Sequence, residues 1–160
     1  MPQQQLLTVS EVVDCCAPVS DELRTTWLRR LRDWSSIGLL EISEHHREGT
    51  GRHRLYSPGA VYVAAVLLRM ADLGVPVGTL ARIARLIQHP TRTKAEQEFR
   101  RFWAEVKKLA APNNAYLAIT PEIGGVRAFY NYGWAPIVIS GDAAWVAVNL
   151  TAIFSRIKLP

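Results

Sequence analysis

The sequence predicts an α+β protein in three parts: a mainly helical N-terminal domain over residues 1–90, a linking helix over 91–111 and a small β-rich module over 112–160. Three observations lead there. Apolar residues recur at helical spacing through most of the first ninety positions, and Pro, Gly and Ser punctuation cuts that stretch into separate helices. The last third changes to short alternating runs divided by glycine and asparagine. With 49% hydrophobic against 21% charged residues, the chain has the apolar material to close a core, which excludes a disordered polymer. The longest uninterrupted apolar run, Ala60 to Leu68, ends at Arg69 and is too short to span a bilayer.

Thr8-Val9-Ser10-Glu11 is a capping box, with Leu7 and Val12 as its staple, and predicts a first helix from Val9 to Cys16. Ala17-Pro18-Val19-Ser20 breaks that helix and caps a second, with Asp21 and Glu22 in its first turn. On a wheel of residues 23–34, Leu23, Trp27, Leu28, Leu31 and Trp34 fill one sector, while Thr25, Arg29 and Arg32 lie opposite at spacing i, i+4, i+7. Gly38 stops the helix. A polar stretch from Ser43 to Gly51 and the alternating Arg52-His53-Arg54-Leu55-Tyr56 then predict a two-stranded hairpin with Arg47, Thr50, Gly51 and Arg52 at its tip. Gly49-Thr50-Gly51 lacks the lysine and the strand-loop-helix setting of a phosphate-binding loop. Ser57-Pro58 opens a helix that Gly74 ends, apolar enough to be central to the core. A further helix from Pro76 to Gln88 puts Val77, Leu80, Ala84 and Ile87 on one stripe before His89-Pro90.

Ala95, Phe99, Phe102, Val106 and Leu109 follow the 4-3-4-3 spacing of a coiled-coil seam, so Phe99, Phe102, Val106 and Leu109 are candidate dimer contacts. Packing of the same stripe on its own domain stays open. Strands are expected at Tyr116 to Thr120, Val126 to Tyr130, Pro136 to Ser140 and Trp145 to Leu150, with a closing helix from Thr151 to Lys158. Aromatics among them either pack a core or stack on a ligand.

Charge gives the first functional clue. Net charge is +5, but residues 1–90 are nearly neutral, with ten Arg and nine acids; the local excess lies between Arg24 and Arg54, where seven bases meet four acids. Such an excess favours an anionic partner. The adjacent Cys15 and Cys16 cannot staple distant segments and read as buried thiols. His45 and His46 are neighbours without cysteine or paired acids at ligand spacing, so no metal site and no cofactor are expected; His53, between two arginines, suits a phosphate or groove contact. No serine or cysteine nucleophile has a base and an orienting acid in any recognisable motif, so no catalytic residue is assigned and a non-enzymatic role is expected. The N-terminus lacks the pattern of an export signal, from which a cytoplasmic location is expected.

Taken together, Leu31-Arg32-Asp33-Trp34, Ile37-Gly38-Leu39-Leu40, the hairpin ending in Arg54-Leu55-Tyr56-Ser57, and Leu73-Gly74-Val75-Pro76 resemble the winged helix-turn-helix DNA-binding domain of the MerR family of bacterial transcriptional regulators. In that family a Thr-Leu-Arg-Tyr-Tyr-Glu stretch leads to the Gly-Leu-Leu end of the recognition helix, and a wing closes in Arg, any residue, Tyr and Ser. The resemblance places Arg32 on the recognition-helix arginine, Trp34 on the second tyrosine, and Arg54 and Tyr56 on wing residues that approach phosphate. The wheel adds Thr25 and Arg29, and the hairpin adds Arg47, Arg52 and His53. Asp33 and Ser35 stand where the family has its first tyrosine and its glutamate, and the segment before Leu31 is longer than usual. The resemblance implies a regulator that binds double-stranded DNA as a homodimer on a pseudo-palindromic site, distorts the duplex, and has RNA polymerase as a further partner. It names no small-molecule effector. Two alternatives stand beside it. A protein-interaction module would use the winged fold without reading DNA and pair its central arginines with its own acids. A ligand-binding β-rich module would line a pocket with Tyr130, Trp134 or Trp145.

Overall fold

Local capping chemistry sets the helix boundaries, and the strands follow from what lies between them. The computed structural model describes residues 5–48, 51–89, 93–107, 115–120, 125–130 and 146–160, with residues 44–48, 51–53, 95–96, 98–99, 102, 118–120, 125–130 and 146–147 described by backbone alone. The elements run β1 (Leu7–Thr8), α1 (Val9–Cys15), α2 (Asp21–Ser36), β2 (Glu44–Glu48), β3 (Gly51–Tyr56), α3 (Pro58–Asp72), α4 (Val77–Gln88), α5 (Lys94–Lys107), β4 (Ala115–Thr120), β5 (Gly125–Tyr130), β6 (Val146–Asn149) and α6 (Leu150–Phe154). The chain is α+β, with two small antiparallel sheets ordered β1-β3-β2 and β5-β4-β6.

The capping box forms as the sequence predicts: Glu11 Oε2 accepts from the Thr8 amide at 2.7 Å, and Thr8 Oγ1 accepts from the Glu11 amide at 3.4 Å. Ser20 caps α2 by accepting from the Leu23 amide at 3.2 Å. Both predicted glycine stops are Schellman motifs. Gly38 sits at φ +74° with Leu39 N–H donating to Trp34 O at 2.8 Å, and Gly74 at φ +82° with Val75 N–H donating to Met70 O at 3.1 Å. Here the left-handed φ makes glycine the low-strain choice.

The chain divides into two compact units, Met1–Leu68 with Arg156–Pro160, and Arg69–Ser155. In the first unit α1 packs against α2, β1 and β3. Leu7, Val12, Val13, Trp27, Leu31, Trp34, Leu40 and Tyr56 are buried there, as are Cys15 and Cys16. Full burial of each large apolar side chain is worth about 1.5–3 kcal/mol relative to exposure. Cys16 Sγ donates to Val61 O at 3.7 Å, joining the end of α1 to α3. The tail returns to the same unit, with Lys158 N–H donating to Cys15 O at 3.4 Å. The predicted closing helix is therefore shorter than expected and ends at Phe154.

In the second unit α4 packs on α5, α5 on α6, and α6 on β4. Ile83 joins Leu80, Ala84 and Ile87 in burial, whereas Val77, assigned to that stripe by spacing, is exposed. The α5 helix carries a second departure. Trp103, outside the predicted seam, is buried and meets Phe154 edge-to-face with centroids 5.1 Å apart. Val106 is also buried within its own chain, so its assignment as a dimer contact is corrected to an internal one. The side chains of Phe99 and Phe102, all of Leu109 and the predicted strand Pro136 to Ser140 lie outside the described residues.

Between α1 and α2, Ala17 adopts φ +51° and its amide donates to Asp14 O at 3.1 Å. An L-residue there carries about 1–2 kcal/mol of strain that glycine escapes. Ala17→Gly is expected to raise the unfolding free energy by about 0.5–1 kcal/mol in urea titrations, after the added freedom of the unfolded chain is subtracted. A loss of stability would show that the turn is not left-handed.

Candidate nucleic-acid interface

Burial of one face of α2 dictates the chemistry of the other. Trp27, Leu31, Trp34 and Ser35 are buried, while Thr25, Arg29 and Arg32 are exposed on the opposite side, as the wheel predicts. Thr25 Oγ1 donates to Asp21 O at 2.9 Å, which leaves its oxygen available as an acceptor. Among the described residues, neither Arg29 nor Arg32 forms an ion pair.

Arg24 behaves differently from the arginines that follow it. Its guanidinium holds both Asp14 oxygens, Nε at 2.6 Å and Nη2 at 3.0 Å, and Nη2 also donates to Ser10 Oγ at 2.7 Å. This fork ties α2 to α1 and makes Arg24 part of the scaffold. The hydrogen bond from Arg24 holds the Asp14 carboxyl below its ordinary value, against a smaller opposing effect of burial. Nearby, burial pushes the Cys15 thiol up, with Asp14 and Glu11 adding to the effect, which leaves it a poor nucleophile.

Strand β3 pairs with β2 in the register His45↔Arg54, His46↔His53 and Arg47↔Arg52, and with β1 as Leu7↔Tyr56. Residues 45, 47, 52, 54 and 56 therefore share one face of the sheet by register. At the base of the hairpin, this face meets α2 through two polar contacts. Arg54 Nη1 donates to the main-chain oxygen of Arg32 at 2.8 Å. Tyr56 Oη lies 2.8 Å from Ser35 Oγ, and because the single Ser35 proton goes to Leu31 O at 2.7 Å, the tyrosine is the donor. Ser35 is itself buried, so both hydroxyls of this contact are removed from solvent.

These positions revise part of the expected site. Thr25, Arg29 and Arg32 are accessible and share a stripe. Trp34 and Tyr56 are not available as direct contacts: Trp34 is 5% exposed and Tyr56 fully buried, because both belong to the apolar face that holds α2 to the hairpin. Arg54 is half-buried at the joint. Arg47, Arg52 and His53 are described by backbone alone, so register places them without describing their side chains; Thr50 lies outside the described residues. Of the β-module aromatics, Tyr130 is described by backbone alone, and Trp134 and Trp145 lie outside. Sequence reasoning missed Ser35 and Arg24. Ser35 follows Leu31 by four positions, and that helical spacing was the available signal; the pairing of Arg24 with Asp14 across a turn has no such periodic mark.

No protein-family profile matches the chain, and no curated protein matches it. Among the described residues there is no cluster of three His, Cys, Asp or Glu side chains that could hold a metal ion, and no helix is long and apolar enough to cross a membrane.

Two stability experiments follow from this geometry. Ser35→Ala strands a buried tyrosine donor and is expected to cost about 1–3 kcal/mol, whereas Tyr56→Phe, which strands none, is expected to cost about 0.5–1.5 kcal/mol. The double variant should be no less stable than Ser35→Ala alone; additive losses in denaturant titrations would show that the pair is not formed. The second uses pH. Because the folded Asp14 value is depressed, its contribution is present above the ordinary 3.8 and is lost as pH falls through the lower folded value. Wild type should exceed Asp14→Asn in urea midpoint at neutral pH, and the gap should close in acid below that value; a gap independent of pH would exclude the carboxylate as its source.

Proposed function

We propose that the protein is a DNA-binding transcriptional regulator of the MerR type, gripping double-stranded DNA with a winged helix-turn-helix. In this reading α1 and α2 are the helix-turn-helix, α2 is the recognition helix and the β2–β3 hairpin is the wing. The observation that carries it is the joint between two basic elements: the exposed Arg29 and Arg32 stripe of α2 is tied at Arg32 O to Arg54, on the sheet face that register shares with residues 47 and 52. A helix presenting guanidinium groups beside a basic hairpin matches the division of labour on a duplex, with base edges read in the major groove and phosphates held by the flank. Arg29 and Arg32 supply donors for guanine edges or phosphate, and the Thr25 oxygen suits an amino group on a base edge. The shape of the wing and the helix pair, together with the resemblance from Leu31 onward, supports the same reading.

A homodimer is part of this proposal, since a pseudo-palindromic site is met by two copies related by a two-fold axis. Its interface does not run through Val106, which its own chain already covers. Reading of a protein partner through the same surface would be favoured by internal pairing of the central arginines. Arg24 is so paired, but Arg29 and Arg32 are exposed and ion-pair with no described residue.

Fluorescence anisotropy with a duplex from immediately upstream of the chain's own coding sequence, with excess nonspecific competitor, tests the proposal. Arg29→Ala and Arg32→Ala are each expected to weaken binding by about tenfold or more, with any phosphate-contacting arginine also lowering the salt slope by about one. Unchanged affinity of both variants at moderate salt would remove the site. Sedimentation of the protein–DNA complex should give two chains per duplex.

A further inference from the structure

We infer that Arg54 and Tyr56 are positioning residues, which clasp the basic hairpin to α2 so that helix and hairpin meet a duplex as one rigid element; this rests on the DNA-binding reading above. The assignment differs from the phosphate-contacting role that the resemblance gives these two positions.

Arg54 and Tyr56 are same-face neighbours two residues apart on β3, and their partners Arg32 and Ser35 are three residues apart on α2. Two residues of strand cover roughly 6–7 Å. Three of helix rise about 4.5 Å, so one short strand segment engages one helical turn at two successive points. Tyr56 has no exposed surface, and its proton is committed to Ser35 Oγ, so it cannot reach a phosphate without leaving the core. Arg54 places a guanidinium N–H on a carbonyl in the last turns of α2, where the helix dipole is negative and Ser36 Oγ also donates to the same oxygen at 2.9 Å. Apolar packing alone would allow the hairpin to slide on the helix. Two directional hydrogen bonds fix its angle. The positions further along the same sheet face, 47 and 52, then stand at a set place relative to Arg29 and Arg32.

A positioning residue acts through the groups it places, and this separates it from an independent phosphate ligand. The test is a double-mutant cycle on the full chain with the same upstream duplex, read by anisotropy at a temperature where thermal melts show every variant folded. Arg54→Ala is expected to weaken binding by about tenfold in the wild-type background. In an Arg47→Ala/Arg52→Ala background the same change should cost less than about twofold, because the contacts it positions are already gone. Tyr56→Phe should give the same pattern with a smaller first loss, and it keeps the test alive should Arg54→Ala fail to fold. An equal tenfold loss in both backgrounds would overturn the inference and make Arg54 a direct ligand; so would wild-type affinity for both Arg54→Ala and Tyr56→Phe. Absence of duplex binding by the wild-type chain even at low salt is a different failure. It would remove the DNA-binding reading itself, and the inference with it.

Discussion

A helix that buries Trp27, Leu31 and Trp34 on one side leaves no freedom in where Thr25, Arg29 and Arg32 stand. Helical geometry turns a packing requirement into a chemical surface, because residues at i, i+4 and i+7 rise in line on the side away from the core. The apolar side chains concerned are each worth more to stability than any exposed ion pair, so the core sets the orientation and the charges follow. The same face of α2 also buries Ser35, and a buried hydroxyl demands partners. It finds them in Leu31 O and the Tyr56 hydroxyl. The chain thereby acquires a directional link from helix to hairpin at the point where the apolar contact would otherwise be unspecific.

Around that link, arginines of one local sequence divide into distinct physical roles. Arg24 is held by a carboxylate and a hydroxyl and fixes α1 against α2; Arg54 is held by a main-chain carbonyl; Arg29 and Arg32 stand in solvent. A guanidinium suits all three because its planar fork can bind a carboxylate, a carbonyl or a phosphate without changing charge. Net charge over the segment hides the distinction. Neutralisation of Arg24 by Asp14 subtracts from the local cationic excess, while the carbonyl partner of Arg54 leaves its full charge in place.

The helix boundaries were legible in the sequence because capping is local: Thr8 and Glu11, Ser20, Gly38 and Gly74 act within a few residues of themselves. The outward stripe of α2 was legible for the same reason. The hairpin was placed by its alternation, but the two-residue strand β1 was not, since two residues carry no period. Trp34 and Tyr56 are buried where the resemblance expects contacts, because aromatic positions taken from a resemblance carry no statement of which way they face, and burial depends on contacts distant in sequence. Val106 failed in the same way: heptad spacing reports an apolar stripe without saying which surface covers it, and here Trp103 beside it marks the direction of internal packing.

Asp33 bears on how such a surface would choose its ligand. It is exposed, follows Arg32 on α2 and lies on the flank of the stripe, with no ion pair to any described residue. Beside a polyanion a carboxylate in that place is repulsive unless the docking angle turns it away from the nearest phosphate. A uniform cationic face would accept many angles at similar cost, whereas a stripe bounded by a negative charge penalises those that bring Asp33 inward. Together with a hairpin held at a fixed angle, this restricts the geometries available for close approach. Restriction of geometry is what separates reading a duplex from merely adhering to one, because base-edge contacts form only where helix and flank fit at once.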